Sequence, residues 1–555
     1  MHRADHLDEV RPALEAGFRA AAAGRWVAGL VAYEAAPAFD PALRVRSPGP
    51  GDGPAGPLTW LAEYDGVAEA SSFASGEATL GPLRPDEDRE GHRAAVEAIR
   101  EGIGRGDFYQ VNHTFRLRGA FAGDPLALYR RLRGAQGGGL GACLHLGDRA
   151  VVSASPELFL RVEGRRVTAR PMKGTARRGR WLEEDDAAAE MLAGSEKDRA
   201  ENVMIVDLLR NDLGRVAEPG SVRALRLFEV ERWRTVLQLT STVEARLRPG
   251  VGLPDLLAAA FPCGSVTGAP KVAAMTRIAG SERSTRGVYC GAIGAIAPGG
   301  DAAFNVAIRT VEIDLGRGMA TAGVGGGITW GSSAGAEYEE ALAKGAFLEA
   351  PPAPPVLVET LRLEGGAYRL LQGHLARLEA SARHLGLAWD RAEVEAALDR
   401  ARTPGGDARV RLVVAGRGAV TVERSPLPER PAGPVRVALA AAPVSRRDPR
   451  LFHKTTDRAP YDEARRSGPD LFDVLLWNEE GEVTEFTIGN VVADLDGGRV
   501  TPPRDAGLLA GVFRSELVAR GEVKERTLRV ADLRRARRLW LVNALRGWVE
   551  VRLAE

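Results

Sequence analysis

Glu157 and Lys173 are spaced to meet as a proton carrier and a nucleophile. Between them run two strand-like stretches, Leu158 to Glu163 and Arg166 to Pro171, joined at Gly164-Arg165, which suits a two-residue hairpin turn. Antiparallel pairing outward from that turn predicts Glu157 across from Lys173. Burial of such a lysine lowers its proton affinity and exposes a nucleophilic amine. A surface ion pair has the same spacing, and by spacing alone it is the commoner outcome. Asp198 and Glu201 fall on one face of a helical stretch from Lys197 to Leu208, and Glu337 and Glu340 repeat the i, i+3 pattern in a helix predicted over Ala336 to Leu348. Two such pairs could converge on Mg²⁺, which takes hard oxygen ligands, keeps several waters and bridges to anionic substrates; for either pair alone a solvated helix face is the commoner arrangement. Two glycine-rich runs, Gly264 to Lys271 and Gly323 to Ile328, can bring backbone N–H groups close to an anion. The first lacks the Gly-Lys-Ser/Thr ending of a phosphate-binding P-loop. Arg309, in a strand predicted over Phe304 to Ile313, could grip a carboxylate with both arms of its guanidinium.

The second half carries a different set. His374 to Ala382 reads as a helix start with Arg377 near its apolar face. Lys454 lies in His453-Lys454-Thr455-Thr456 after a basic loop. Asp473 to Trp477 and Val483 to Asp494 frame the turn Asn478 to Gly481, a predicted hairpin bearing Glu485 and Asn490. A carboxylate such as Glu485, if turned inward, needs a cationic partner. Gly507 to Glu516 reads as a loop entering a helix N-terminus, a natural phosphate site.

These residues need two folding units to position them, because single cores stop growing at roughly 250–300 residues and the chain has 555. Four prolines in Pro351-Pro352-Ala353-Pro354-Pro355 exclude helix and central strand, so residues 349–355 are assigned as a linker between domains 1–348 and 356–555. Ser47 to Pro57 reads as a surface loop within the first domain. A net charge of +1, from 75 Lys+Arg against 74 Asp+Glu, sets up no global field for nucleic acid or an anionic membrane. The charged start Met1-His2-Arg3-Ala4-Asp5 has no signal-peptide core and no apolar run reaches bilayer length, so a cytoplasmic location is expected. Cys143, Cys263 and Cys290 are too few and scattered for a disulfide framework or thiolate metal site.

Taken in order, Glu157 in Ser-Pro-Glu-Leu-Phe, Pro171-Met172-Lys173-Gly174-Thr175, Ala200-Glu201-Asn202 with Val206 to Asp212, the Gly264 to Lys271 loop and Glu337 to Glu340 resemble the chorismate-utilising family of anthranilate, aminodeoxychorismate and isochorismate or salicylate synthases. The resemblance implies an α+β fold with large antiparallel sheets around a Mg²⁺-dependent cleft. A lysine at position 173, where anthranilate synthases usually carry alanine, implies amination of chorismate at ring carbon 4. Lys173 would be the nucleophile and Glu157 its proton partner. Glu201 and Glu340 would hold Mg²⁺ with Asp198 and Glu337 close by, while Thr267, Gly268, Tyr289, Arg309 and Gly327 would bind substrate. Gln238 replaces a histidine of anthranilate synthases, which weakens the expectation that this half eliminates pyruvate.

The second half resembles the class IV (fold type IV) pyridoxal-phosphate enzymes, which include aminotransferases and aminodeoxychorismate lyase. By that resemblance Lys454 would carry pyridoxal phosphate covalently and Glu485 would face its ring nitrogen. Arg377 with the Val512 and Phe513 N–H groups would hold phosphate, and Leu509 would pack on the ring. Phe513 and Val492 depart from the aminotransferase pattern, leaving substrate class less determined. Together the halves imply p-aminobenzoate synthesis, with ammonia from a separate glutamine amidotransferase, since no cysteine lies in a Gly-x-Cys-x-Gly turn. A homodimer through the second domain is a further expectation. The competing readings are an anthranilate synthase-like enzyme with an appended aminotransferase, and a non-catalytic, dimer-forming second half.

Overall fold

A computed structural model describes the chain except for residues 50–55, 70–75, 137–138, 350–355, 403–405, 417 and 555. The proline run of the expected linker and most of the Ser47 to Pro57 loop lie outside the described residues. Two compact units result, one of Met1–Arg177 and Ala189–Ala353, the other of Arg178–Ala188 and Pro354–Glu555. Among the described residues no helix is long and apolar enough to cross a membrane.

The first unit is built on a ten-stranded and an eight-stranded sheet with antiparallel pairing throughout. Helices Leu7–Ala22, Glu196–Gly214 and Leu253–Ala260 bury apolar faces on the larger sheet, and Pro125–Gln136 and Ala334–Gly345 on the smaller. The Gly164 hairpin forms, with Arg166 opposite Glu163, but a register shift after Thr168 ends its pairing at Arg170 opposite Leu158. Arg166–Arg170 also pairs with Val236–Arg246, and past Pro171 the chain continues along that same strand as Met172–Arg177. Lys173 is therefore not the cross-strand partner of Glu157: the pairing with Leu158–Glu163 stops at Arg170, and beyond Pro171, which has no N–H to give, only the pairing with Val236–Arg246 goes on. Arg309 also departs from expectation. It lies between strands Ala302–Val306 and Thr310–Asp314 at φ +48°, a kink that breaks the single strand predicted there.

The second unit pairs a four-stranded antiparallel sheet with an eight-stranded mixed sheet. Helices Leu371–Leu385 and Arg391–Arg400 cover one face of the smaller sheet through Leu375, Leu378, Val394 and Leu398. Val483 to Asp494 is two strands rather than one. Val483–Phe486 and Gly489–Leu495 fold back at Thr487-Ile488, which makes Glu485 and Asn490 direct cross-strand partners.

Candidate active sites

In the first unit strand Met172–Arg177 presents Lys173, and helix Glu196–Gly214 brings carboxylates to it. Ser195 caps that helix by accepting from the Asp198 N–H (3.3 Å), so Asp198 and Glu201 stand near its positive end. Gly174, at φ +92°, permits the approach: a Cβ there would come within 2.9 Å of the Asp198 side chain. Gly327 closes the other side, because its Cβ would lie 2.0 Å from Gln110 Nε2 and 3.1 Å from Lys173 Nζ. Gln238 braces the strand by donating to the Gly174 carbonyl (2.7 Å) and accepting from Thr175 Oγ1 (3.0 Å).

Desolvation pulls the Lys173 ammonium below its ordinary pKa, with Glu201 and Glu157 opposing and Lys344 adding to the fall. Glu157 is buried, and burial lifts its carboxyl to about 7 against a 2.6 Å hydrogen bond from Ser265 Oγ and the charge of Lys173. Glu201 is likewise raised by burial, and Asp198 and Glu337 add to the rise. Among the described residues no three metal-ligating side chains gather into one group; Glu340, exposed, pairs with Lys344 (2.8 Å).

The substrate-binding candidates divide. Gly327 belongs to the Lys173 group. Thr267 and Gly268 are buried: Asn112 N donates to the Thr267 carbonyl (2.8 Å), and Gly268 pairs with Val111. Tyr289 is buried beneath the Arg116 guanidinium (5.0 Å), and a Cβ at Gly323 would meet its ring. Arg309 donates to Gln136 Oε1, and burial draws its guanidinium down to about 10.

In the second unit a cavity of ≈ 410 Å³ is lined by Lys454, Glu485, Asn490, Arg377, Leu509 and Val512 among others. Desolvation brings Lys454 down to about 8, Arg377 next in effect. Its carbonyl accepts from Val358 N (2.9 Å). The preceding His453 is held by Ser381 Oγ (3.0 Å), the Arg180 carbonyl (3.2 Å) and the His384 ring (4.6 Å). Buried Glu485 is lifted to about 7 by desolvation while accepting from Tyr461 Oη (2.8 Å), Leu509 N (2.9 Å) and Asn490 Nδ2 (3.1 Å). Asn490 Nδ2 also donates to the Leu509 carbonyl (2.9 Å), fixing the loop into helix Val512–Ala519. The first N–H groups of that helix, those of Val512 and Phe513, have no acceptor within the helix itself.

Sequence reasoning missed Glu359. Buried in strand Leu357–Glu364, it accepts from Arg377 Nε (2.8 Å) and Nη2 (2.7 Å) and pairs with His374 Nδ1 (2.7 Å). The signal was available: Leu357, Leu361 and Leu363 make every second position apolar, and a glutamate in that row demands buried partners. Ser265 and Tyr461 had no such signal.

The family model for chorismate binding enzyme matches residues 2–350, and that for amino-transferase class IV matches residues 356–554. Aminodeoxychorismate synthase of Streptomyces griseus is 44% identical over 271 residues, 49% of this chain and 37% of that protein. Aminodeoxychorismate synthase component 1 of Klebsiella aerogenes is 41% identical over 293 residues, 53% of this chain and 63% of its own length. The chain thus spans less than two thirds of either relative. Among solved structures, anthranilate synthase component I from Streptococcus pneumoniae TIGR4 aligns with a TM-score of 0.53 at 29% identity, over 60% of this chain and 85% of that one. Over most of its length the chain belongs to the chorismate binding enzyme family, and a segment matching class IV amino-transferases follows.

Proposed function

We propose that this chain makes p-aminobenzoate in two steps: amination of chorismate at ring carbon 4, then elimination of pyruvate from the resulting 4-amino-4-deoxychorismate. The observation that carries the reading is Lys173, its amine depressed by desolvation and in the field of a Glu157 poised near neutrality. The amine bonds to ring carbon 2 as the carbon 4–oxygen bond breaks, and Glu157 donates the proton with which the hydroxyl leaves as water. Ammonia then bonds to carbon 4 and Lys173 leaves carbon 2. Arg309, a buried cation with no acidic partner among the described residues, receives a substrate carboxylate with Tyr289, Thr267, Gly268 and the Gly327 amide. Glu201 and Glu340 would hold Mg²⁺, with Asp198 and Glu337 beside them. Their hard oxygens suit the ion, and one or two carboxylates suffice where it also bridges to substrate.

In the second unit, pyridoxal phosphate supplies an electron-accepting ring. Lys454 would hold it and, near neutrality, give and take protons at Nζ. Glu485, oriented by Tyr461 and Asn490, would favour a protonated ring nitrogen. Arg377 and the Val512 and Phe513 N–H groups would hold phosphate, with Leu509 against the ring. The cavity's lysine, inward carboxylate and helix N-terminus fit that cofactor. A glutamine amidotransferase would supply ammonia, a homodimer would form through the second unit, and the cytoplasm is the expected location. Mass spectrometry of products from chorismate, ammonium, Mg²⁺ and pyridoxal phosphate tests the reading. p-Aminobenzoate and pyruvate are expected; o-aminobenzoate would assign anthranilate chemistry instead.

A further inference from the structure

The cavity of the second unit carries more positive charge than a phosphate requires. Arg409 and Arg411 alternate along strand Ala408–Val414 with Val410 and Leu412, so the apolar pair faces the core and both arginines line the cavity. Arg546 joins them from the turn between strands Leu539–Asn543 and Gly547–Leu553. That turn is fixed: Asn543 Oδ1 accepts from the Arg546 N–H (2.7 Å), and Asn543 Nδ2 donates to the Ile488 carbonyl (3.0 Å).

Among the described residues no ion pair and no side-chain hydrogen bond involves these three guanidiniums, and Nε of Arg409 and of Arg546 is buried without a partner. Burial, then repulsion from Arg409, holds the Arg546 guanidinium below its ordinary value. The carboxylates sharing the cavity are otherwise engaged, Glu485 with Tyr461, Asn490 and Leu509, and Asp457 at 3.9 Å from Arg450. A buried donor left unsatisfied is destabilising, so two such Nε atoms beside the third guanidinium on one cavity wall are accounted for by an anion that meets them. One carboxylate occupies one guanidinium fork. Three forks, on residues other than the phosphate-holding Arg377, point to more than one.

We propose that Arg409, Arg411 and Arg546 form a receiving wall that selects a substrate bearing two carboxylates. The inference rests on the reading that this unit acts on 4-amino-4-deoxychorismate, which carries one carboxylate on its ring and one on its enolpyruvyl arm. It is tested on the full-length chain loaded with pyridoxal phosphate, titrated calorimetrically with isophthalate, an aromatic dicarboxylate, and with benzoate. Isophthalate should bind at least about tenfold more tightly, and Arg409→Gln, Arg411→Gln and Arg546→Gln should each weaken it roughly 10–100-fold, as expected for loss of a charge-assisted fork, leaving cofactor affinity unchanged. Arg411→Lys, which keeps charge and stem, should lose most of the discrimination and covers the case in which a glutamine variant misfolds. Equal binding of the two probes by the wild type overturns the proposal. So does a loss of cofactor affinity with isophthalate binding intact, which would assign the arginines to phosphate. Arginine-dependent isophthalate binding by a chain that converts no 4-amino-4-deoxychorismate upholds the wall and removes the lyase reading; conversion with unchanged KM in all three glutamine variants does the reverse.

Discussion

Replacing Glu359 with glutamine should destabilise the second unit and loosen its hold on the cofactor together. The carboxylate is 1% exposed at its side chain and Arg377 15%, so the pair is desolvated, and both Arg377 arms and His374 meet it at 2.7–2.8 Å. Breaking a buried pair by removing one charge costs about 3–5 kcal/mol. The amide of Glu359→Gln still accepts one bond, and Arg377 Nη1 keeps the Ala510 carbonyl (3.2 Å), so the lower end, about 3 kcal/mol, is expected. For a unit of this size that is roughly 6–12 °C in Tm. Burial alone would raise the Glu359 carboxyl, but Arg377 and then His374 outweigh it and leave the group far below the carboxylate range. A depressed carboxyl contributes stability that is fully present above its unfolded pKa of about 4.3 and fades as pH falls toward the folded value. The gap between wild type and variant should thus be present at pH 7 to 8 and narrow in strong acid. Urea unfolding of both chains across that range, followed by circular dichroism, measures it. A gap below about 1 kcal/mol at pH 7, or one that widens in acid, would refute the reasoning.

Lys173→Ala should cut chorismate amination by orders of magnitude, because the nucleophile is gone, while added 4-amino-4-deoxychorismate is still converted; coupled product assays separate the two steps. Glu201→Gln or Glu340→Gln should abolish chorismate consumption, and undiminished consumption at limiting Mg²⁺ would remove both from the metal's ligand set. Lys454→Ala should accumulate 4-amino-4-deoxychorismate without p-aminobenzoate, read by chromatography, since covalent and acid–base roles reside in one side chain.

The elements that stay within a few residues of their own signals were legible in the sequence. The Gly164 hairpin, the capped helix that puts Asp198 and Glu201 on one face, the Glu337–Glu340 helix and the loop before Val512 each follow from turn chemistry or a 3.6-residue period acting locally. The pattern of motifs along the chain carried the family. Tertiary structure alone decided which distant strands close on one another. Lys173 comes to Glu201 because the chain runs on past the end of its hairpin along Val236–Arg246, and Ser265 reaches Glu157 across 108 positions. Arg409, Arg411 and Arg546 share a wall because strands far apart in sequence meet around one cavity. Periodicity assigns a side chain to a face but not that face to a partner, and a titratable group takes its character from the partner: Glu157 and Glu485 rise to about 7 in surroundings assembled from several segments, whereas Glu359, equally buried, is driven down by an arginine and a histidine.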